Sequence, residues 1–445
     1  MDFKKLQDLL EEKKYFEIQE NLKHIQKADI AEFLDQLEAK KSLIVFRLLP
    51  KEIAADVFSY LSRDHQVQFS ELVNDKELST IIDELYFDDK IDFLEEMPAN
   101  VVKKILSNST ENERKLINQF LKYPEDSAGS LMTIEFVDLK KEAFVSEAME
   151  RLRKIAPNKE TIYTCYVIDK NRHLEGTISL KDLVLAPADK QIKDIMYGDP
   201  IYVNTYNDQE YIADIFKKYD LLAVPVVDKE DRLIGIITID DIIDVIEQEN
   251  TEDFYRMAAV ERSDEEYINT SVVTLARKRI VWLVFLMVSA TFTGFIIRSF
   301  EATLEAVVVL AVFIPLLMDT GGNAGAQAAT IVIRSLVLGE VESKDALRII
   351  SKEFRVSLIV GGVLAVLNFL RIYYLERYSL ALAFTVSFTL IFTIITAKII
   401  GGILPLVAKK LNADPAIMAS PLITTIVDAV ALVIYFYTAI WFMGI

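Results

Sequence analysis

Apolar residues follow two regimes along this chain. Up to about residue 276 they recur at helical or strand spacing among many charges. After "LARKRI" they run together in five stretches, near Ile280 to Ile297, Ala306 to Ile333, Val356 to Leu370, Leu380 to Leu404 and Ile417 to Phe442. A bilayer core needs about 20 apolar residues in a helix. The pattern therefore predicts an all-α transmembrane domain of five helices over residues 277–445, with the third stretch short for a span. Residues 1–129 read as short amphipathic helices with a weak repeat: "LLPKEIAADVFSYL" recurs as "EMPANVVKKILSNS", Pro50 matching Pro98 in the first helical turn. Apolar Val57 and Leu61 suit stacked helices, so a small α-superhelix is expected. Residues 130–249 hold a stronger repeat, in which "CYVIDKNRHLEGTISLKDLV" aligns with "VPVVDKEDRLIGIITIDDII" at a constant offset of 59. Each copy reads as strand, turn, strand, helix. Residues 250–276, within and after the acidic "DVIEQENTEDFYRMAAV", are expected to form a linker helix.

Charge divides the chain at the same place. Residues 1–276 carry 35 basic and 57 acidic side chains, and the remainder 14 and 10. The first part is acidic enough to repel nucleic acid and anionic membrane surfaces and to attract cations. Cys165 is the single cysteine, which excludes an internal disulfide framework and suits a reducing compartment. The opening "MDFKKLQDLLEEKKYFEI" has helically spaced charges and no apolar h-region, so it reads as an ordinary amphipathic helix and not as a signal peptide. Of the basic residues in the connections between spans, ten lie on one side: Arg277, Lys278, Arg279, Arg334, Lys344, Arg348, Lys352, Arg355, Lys409 and Lys410. Arg298, Arg371 and Arg377 lie on the other. By the positive-inside rule the acidic region is cytoplasmic and the C-terminus lies outside.

Two apolar stretches carry polar residues that a bilayer disfavours. In "IPLLMDTGGNAGAQAATIVIRSL", Gly321, Gly325 and Ala329 recur every four residues and suit a close-packing seam, whereas Asp319 and Asn323 call for a protein interior or a watery path. The motif is expected to interrupt or loosen the second span. In the last stretch Ser420, Thr424 and Asp428 fall at i, i+4 and i+8 with Thr425 beside them, which places a hydroxyl ladder and a carboxylate on one face. An ion path explains this face; a buried salt bridge with Lys398 is the structural alternative. One carboxylate is a thin device for selecting a small hydrated dication, but a two-fold dimer supplies two. The histidines His24, His65 and His173 are scattered, and no nucleophile arrangement or phosphate loop is present, which argues against an enzyme.

The 59-residue repeat resembles a pair of CBS (cystathionine-β-synthase) domains, small α/β modules that often sense adenine nucleotides. On that resemblance Lys181, Asp182 and Leu221, with Leu222, would line a nucleotide pocket; a dimerising scaffold without ligand is the alternative. The order of parts, with "PLLMDTGGNAGAQAAT" in the second span, "DPA" before the fifth and "TTIVDA" within it, resembles the MgtE family of magnesium channels over essentially the whole chain. The resemblance implies a multidomain chain: an N-terminal α-superhelix, tandem α/β CBS domains, a long linker or plug helix, and the five-helix transmembrane pore domain. It implies a homodimer in the cell membrane, in contact with membrane lipid and divalent cations and with no nucleic acid, that takes up Mg²⁺ and is closed by cytoplasmic Mg²⁺. Carried residue by residue, the pore acid is Asp428. The regulatory metal positions are Asp56, Asp88 and Asp92; Glu210, Asp220, Asp241 and Asp244; Glu249, Glu252 and Asp253; and Asp414. All are oxygen ligands, as a hard cation requires. Lys181 and Leu221 stand where the family pattern has an arginine and an aromatic residue, which weakens the implication for ATP. A cation-coupled secondary transporter of divalent metals is the competing function, and a membrane-anchored nucleotide sensor a third.

Overall fold

The computed structural model describes residues 3–261, 267–268, 270–411, 413–418 and 420–444. They form two compact units, residues 1–247 and 248–445.

In the first unit ten short helices run from Phe3–Glu11 to Glu111–Phe120. Each is too short to be stable alone. They pack largely against next-but-one neighbours, as Lys27–Asp35 does on Lys51–Ser59 and Lys51–Ser59 on Asp75–Glu84. This is the stacking of a superhelix. Its core includes edge-on phenylalanines: Phe46 and Phe69 at 5.3 Å, and Phe58 and Phe93 at 5.3 Å. Val57 and Leu61 are buried there as the repeat predicts. Pro50 and Pro98 sit one residue earlier than expected, at the N-caps of Lys51–Ser59 and Ala99–Asn108, in extended backbone. A proline has no N–H to leave unpaired, so it fits either position.

Two sheets follow. In the first, β1 (Asp138–Lys140) pairs parallel with β2 (Thr164–Ile168), which pairs antiparallel with β3 (Leu174–Ser179), and β3 with β4 (Tyr197–Gly198). In the second, β5 (Val203–Asn204) pairs parallel with β6 (Ala223–Val227) and β6 antiparallel with β7 (Leu233–Thr238). The offset of 59 survives in detail. Asp169 Oδ1 accepts from the backbone of Asn171 and His173, and Asp228 Oδ1 from Glu230 and Arg232. Both turns put a non-glycine residue in the left-handed region, Arg172 at φ 72° and Asp231 at φ 57°. At the ends of β3 and β7, Ser179 donates to Asp182 at 2.6 Å and Thr238 to Asp241 at 2.8 Å, starting equivalent helices. The short helix Ala128–Leu131 ties the superhelix to the sheets, Ala128 N–H donating to Asn207 O at 2.8 Å and Gly129 N–H to Thr205 O at 2.9 Å.

The linker helix is not a separate element. Of the expected 250–276, residues 250–257 are the end of Ile239–Met257, which begins inside the second α/β module, residues 262–266 and 269 lie outside the described residues, and residues 272–276 open Val272–Ser299.

The second unit is helical. Val272–Ser299, Ser343–Leu375, Leu380–Lys410 and Pro415–Met443 are long and apolar enough to cross a membrane. The glycine-rich helix, Leu310–Val337, has 28 residues and matches them in length, but its polar centre dilutes its apolar character. Contrary to the expected interruption, it is continuous through Asp319, Gly321, Gly322 and Asn323. Glycine weakens an isolated helix, but dense packing on Leu380–Lys410, here called the fourth helix, and on the last helix, Ser420–Met443, replaces what is lost. The third span is not short: its helix starts at Ala346, ten residues before the apolar stretch, because Lys352, Glu353 and Arg355 break the hydropathy without breaking the helix. Val272–Ser299 has no buried residue within the single chain. Its apolar surface is left uncovered by the rest of the chain.

Candidate ion pathway and cation-sensing acids

The glycine-rich helix has two faces. One is pressed against its neighbours. A Cβ on Gly401 of the fourth helix would lie 2.2 Å from Gly325 O, and one on Gly321 would lie 2.7 Å from Thr393 Cγ2. The packing seam read from the glycine spacing is therefore real, and it brings in Gly401, whose "GG" gave no such signal. Gly401→Ala should lower stability by about 1–3 kcal/mol, the range for overpacking a closed interface. A lowered melting temperature in detergent would register it; an unchanged one would show that the crossing relaxes at no cost.

The other face is exposed in the single chain and polar at its middle: Asp319, Asn323 and Gln327 follow at i, i+4 and i+8. Asn323 Nδ2 donates to Asp319 Oδ1 at 3.2 Å. Asp428 of the last helix is half-buried, and Asp319 is the charged group that acts on it. Two helices thus bring two carboxylates and an amide to one place. Thr424 and Thr425 lie a turn away, both hydroxyls donating to Pro421 O, at 2.9 and 3.1 Å, so their lone pairs remain as acceptors. The side chain of Ser420 lies outside the described residues.

Lys398 does not serve Asp428. Its ammonium stands 3.7 Å from Glu353 Oε2 on the third helix, in a site where Lys398 is 5 % and Glu353 8 % exposed. The salt-bridge alternative for Asp428 loses its partner, and among the described residues no cationic side chain pairs with Asp428.

The acids expected to sense cations fall into groups. Asp88 is 7 % exposed, and burial, then Asp241, Glu160 and Asp89, push its carboxyl well above the usual range. Burial is the main cause for the others too: Asp241 is raised to about 7, Asp89 to about 6 with help from Asp56, and Glu160 to about 8 with help from Asp240 and Asp241. Asp241 of the second α/β module thus acts on Asp88 of one superhelix element, and Asp56 of another acts on Asp89. Asp56 also pairs with Lys27. Glu160 and Asp240 were not legible as members, and Asp89 was legible only as part of the acidic face that Asp56, Asp88 and Asp92 share. Glu160 sits in the irregular "PNKETI" between two elements, and only the fold delivers it; one of its oxygens is buried with no hydrogen-bond partner. Asp92 and Asp244 are exposed, Asp244 with a carboxyl raised by partial burial and by Glu247. Glu210 and Asp220 lie at opposite ends of the helix Gln209–Tyr219, about 15 Å apart at 1.5 Å per residue, so they cannot share an ion within one chain. Asp220 ends that helix in the left-handed region at φ 51°.

A second group surrounds the linker. Arg256, absent from the sequence reading, pairs with both Glu252, one turn before it, and Asp414. Asp414 Oδ1 also accepts from the N–H of Ala416 at 2.7 Å. Burial and then Asp414 raise the carboxyl of Asp253. Glu249 is half-buried on the same helix. Among the described residues no three His, Cys, Asp or Glu form a ready coordination shell. The acids are gathered but not closed around a point. The donors are carboxylate oxygens, the type a hydrated dication takes, and one of them, on Glu160, is buried with no hydrogen-bond partner.

The raised carboxyls imply a pH dependence with a definite sign. Unfolded Asp and Glu titrate near 4. Between that value and the folded values of about 6 to 8, the folded cluster holds more protons than the unfolded chain, so stability falls as pH rises. Without divalent cations, resistance to limited proteolysis at the Tyr123–Ser130 connection should drop between pH 6 and pH 8, and Mg²⁺ should restore it at pH 8. A flat profile would place these acids in contact with water.

The residues drawn from the nucleotide resemblance have different neighbourhoods. Asp182 is occupied in capping its own helix with Ser179, and Lys181 is exposed beside it. Leu221 precedes β6 and packs on the core shared with the superhelix.

An α/β pair beside a superhelix, with a second unit of membrane-length helices that carry carboxylates, points to a membrane transport protein with a cytosolic domain. Residues 314–438 match the family described as MgtE, divalent cation transporter. Residues 25–126 match the MgtE intracellular N domain, and 128–189 and 192–248 match CBS domains. The chain is 37 % identical over 440 residues to the magnesium transporter MgtE of Thermus thermophilus, covering 98 % of this chain and 97 % of the relative. It is 32 % identical to that of Bacillus subtilis over 427 residues, 93 % and 94 % of the two chains. Among solved structures, the cytosolic domain of the Mg²⁺ channel MgtE in complex with ATP is 36 % identical, with a TM-score of 0.52, over 54 % of this chain and 98 % of that one. This chain belongs to the MgtE family, a family of transporters and not of enzymes.

Proposed function

We propose that this protein is a magnesium channel of the cell membrane, a homodimer whose pore is lined by the glycine-rich and last helices and which cytoplasmic Mg²⁺ closes. The observation that carries the reading is Asp428, a carboxylate in an apolar helix with no cationic partner among the described residues, facing Asp319 while the nearby Lys398 is held by Glu353. The glycine-rich helix is then a fifth span, protected from lipid by its neighbours and by the second subunit. The N-terminal unit is cytoplasmic and the C-terminus outside, as the basic residues require.

Mg²⁺ gives up water reluctantly. A two-fold axis beside Asp428 sets two carboxylates across the pore, which accept hydrogen bonds from the ion's waters without stripping them. Asp319, Asn323, Thr424 and Thr425 add acceptors on the same path. Closure follows from repulsion. Without cation, Asp56, Asp88, Asp89, Asp241 and Glu160 resist being held together; bound Mg²⁺ offsets that resistance and favours the compact form. Glu252, Asp253 and Asp414 form the corresponding group near the membrane. Asp92, Glu210, Asp220, Asp244 and Glu249 add surface carboxylates that a second subunit could complete. Any nucleotide would dock at Lys181 and Asp182, with Leu221 further away; the cytosolic domain of a relative is known in complex with ATP.

The test is magnesium flux into vesicles containing the purified protein, with the membrane potential clamped. A reversal potential set by the Mg²⁺ gradient alone supports the channel. Dependence on a sodium or proton gradient would establish the coupled transporter, and no flux a sensor.

A further inference from the structure

The first unit contains a cavity of about 600 Å³ that no part of the transport reading uses. Its walls are the last superhelix element, through Leu116, Gln119 and Phe120, and the α/β pair, through Met132, Ile134, Phe136, Ile168 and Ile234. Its charged lining is Asp138, Lys159 and Arg172. None of Lys181, Asp182 and Leu221 lines it, so it is distinct from the nucleotide face.

The lining charges are not equivalent. Asp138 is engaged by Arg151, whose Nη2 donates to Oδ1 at 2.7 Å and whose Nε donates to the backbone oxygen at 3.2 Å. Arg172 uses one of its donors on Leu233 O at 3.2 Å and keeps the rest. Lys159 is half-buried at the wall. The lining thus presents one half-buried and one exposed cation, Lys159 and Arg172, beside an acid already paired with Arg151, within the acidic part of the chain. The turn does not demand this charge, since the equivalent position in the second module is Asp231, at φ 57° against 72° for Arg172. An apolar cavity of this size with a few convergent polar groups has the character of a small-molecule site.

We propose that this cavity binds a small amphipathic monoanion, an aromatic or branched-chain carboxylate, with its carboxylate on Lys159 and Arg172 and its apolar body against Phe136, Ile134 and Ile168. The extended segment Met132–Asp138 connects this site to the acids. Its even-numbered residues line the cavity, while Thr133 donates to Glu135 at 2.5 Å and Glu135 acts on Glu160. A ligand held between the superhelix and this segment therefore shifts the cation response of the acid cluster, and Mg²⁺ shifts the ligand's affinity by the same factor. That coupling rests on the cation-sensing reading; binding itself does not.

The experiment titrates the full chain in zwitterionic lipid nanodiscs with 2-naphthoate by equilibrium dialysis, against empty nanodiscs and against 2-naphthylmethylammonium. Saturable binding of one anion per chain, at least tenfold weaker for the cation, is expected. Lys159→Ala with Arg172→Ala should weaken it at least tenfold, and Ile134→Trp should abolish it by filling the cavity. Circular dichroism and melting confirm that each variant is folded. Should a variant not fold, the anion-to-cation ratio on the unmodified chain decides alone. Binding no greater than to empty nanodiscs, equal affinity for the cation, or unchanged affinity in the folded double variant would overturn the proposal.

Discussion

Asp428→Ala should reduce magnesium flux at least tenfold, and Asp428→Asn should reduce it less. At 4 Å and an effective dielectric constant near 20, two unit charges interact by about 4 kcal/mol. Losing a third of that in the conducting state is about 1.4 kcal/mol, a factor of ten. The asparagine retains an oxygen that accepts a hydrogen bond from a hydrated ion, though without charge; alanine retains nothing. Asp319 cannot take over, because it stands on another helix and is already bonded to Asn323 at 3.2 Å. Flux in vesicles, normalised to the amount of folded dimer, is the measurement. Wild-type flux in the alanine variant would remove Asp428 from the path. A dimer with these carboxylates on its axis should also cross-link through Asp428→Cys more readily than through Ile434→Cys on the same helix, and equal cross-linking would argue against a central pore.

The parts of this fold that local chemistry determines were legible in the sequence. The repeat at offset 59 gives matched strands, matched aspartate turns and matched helix caps, because an aspartate bonding its own turn and a hydroxyl starting a helix act over a few residues. Asp428 was legible for a different reason: a carboxylate within apolar sequence has few uses. The third span was read too short because hydropathy counts Lys352, Glu353 and Arg355 against a helix that has no cause to stop there. The glycine-rich helix was expected to break because its intrinsic propensity is low, and long-range packing on Thr393, Ile423 and Gly401 overrides that propensity. Glu160 and Arg256 lay beyond local reasoning. Glu160 meets Asp88 and Asp241 only after the superhelix and both modules are assembled, and Arg256 meets Asp414 across more than 150 residues. Sequence spacing carries no record of either encounter.

The same assembled cluster supports the strongest expectation about gating. Asp88→Asn with Asp241→Asn should flatten the dependence of flux on cytoplasmic Mg²⁺ while leaving conduction through the pore intact. Moving a two-state equilibrium from 1:99 to 99:1 takes about 5.5 kcal/mol of differential affinity, which several cation sites must supply together. On the proposed reading that differential arises because burial and mutual repulsion oppose the charged carboxylates of Asp88, Asp89, Asp241 and Glu160 in the compact form, and a cation relieves both. Two asparagines of nearly the same shape lower the resistance to compaction and remove ligands at once. The compact form then needs less metal to appear and gains less when metal arrives. The protease resistance of the Tyr123–Ser130 connection should therefore become nearly independent of Mg²⁺, and closure should lose its steepness. Flux curves for the native and doubly substituted chains decide the matter. If they superimpose, the buried carboxylates contribute nothing to closure and the cation that shuts the pore binds elsewhere, with the group around Glu252, Asp253 and Asp414 as the remaining site for it.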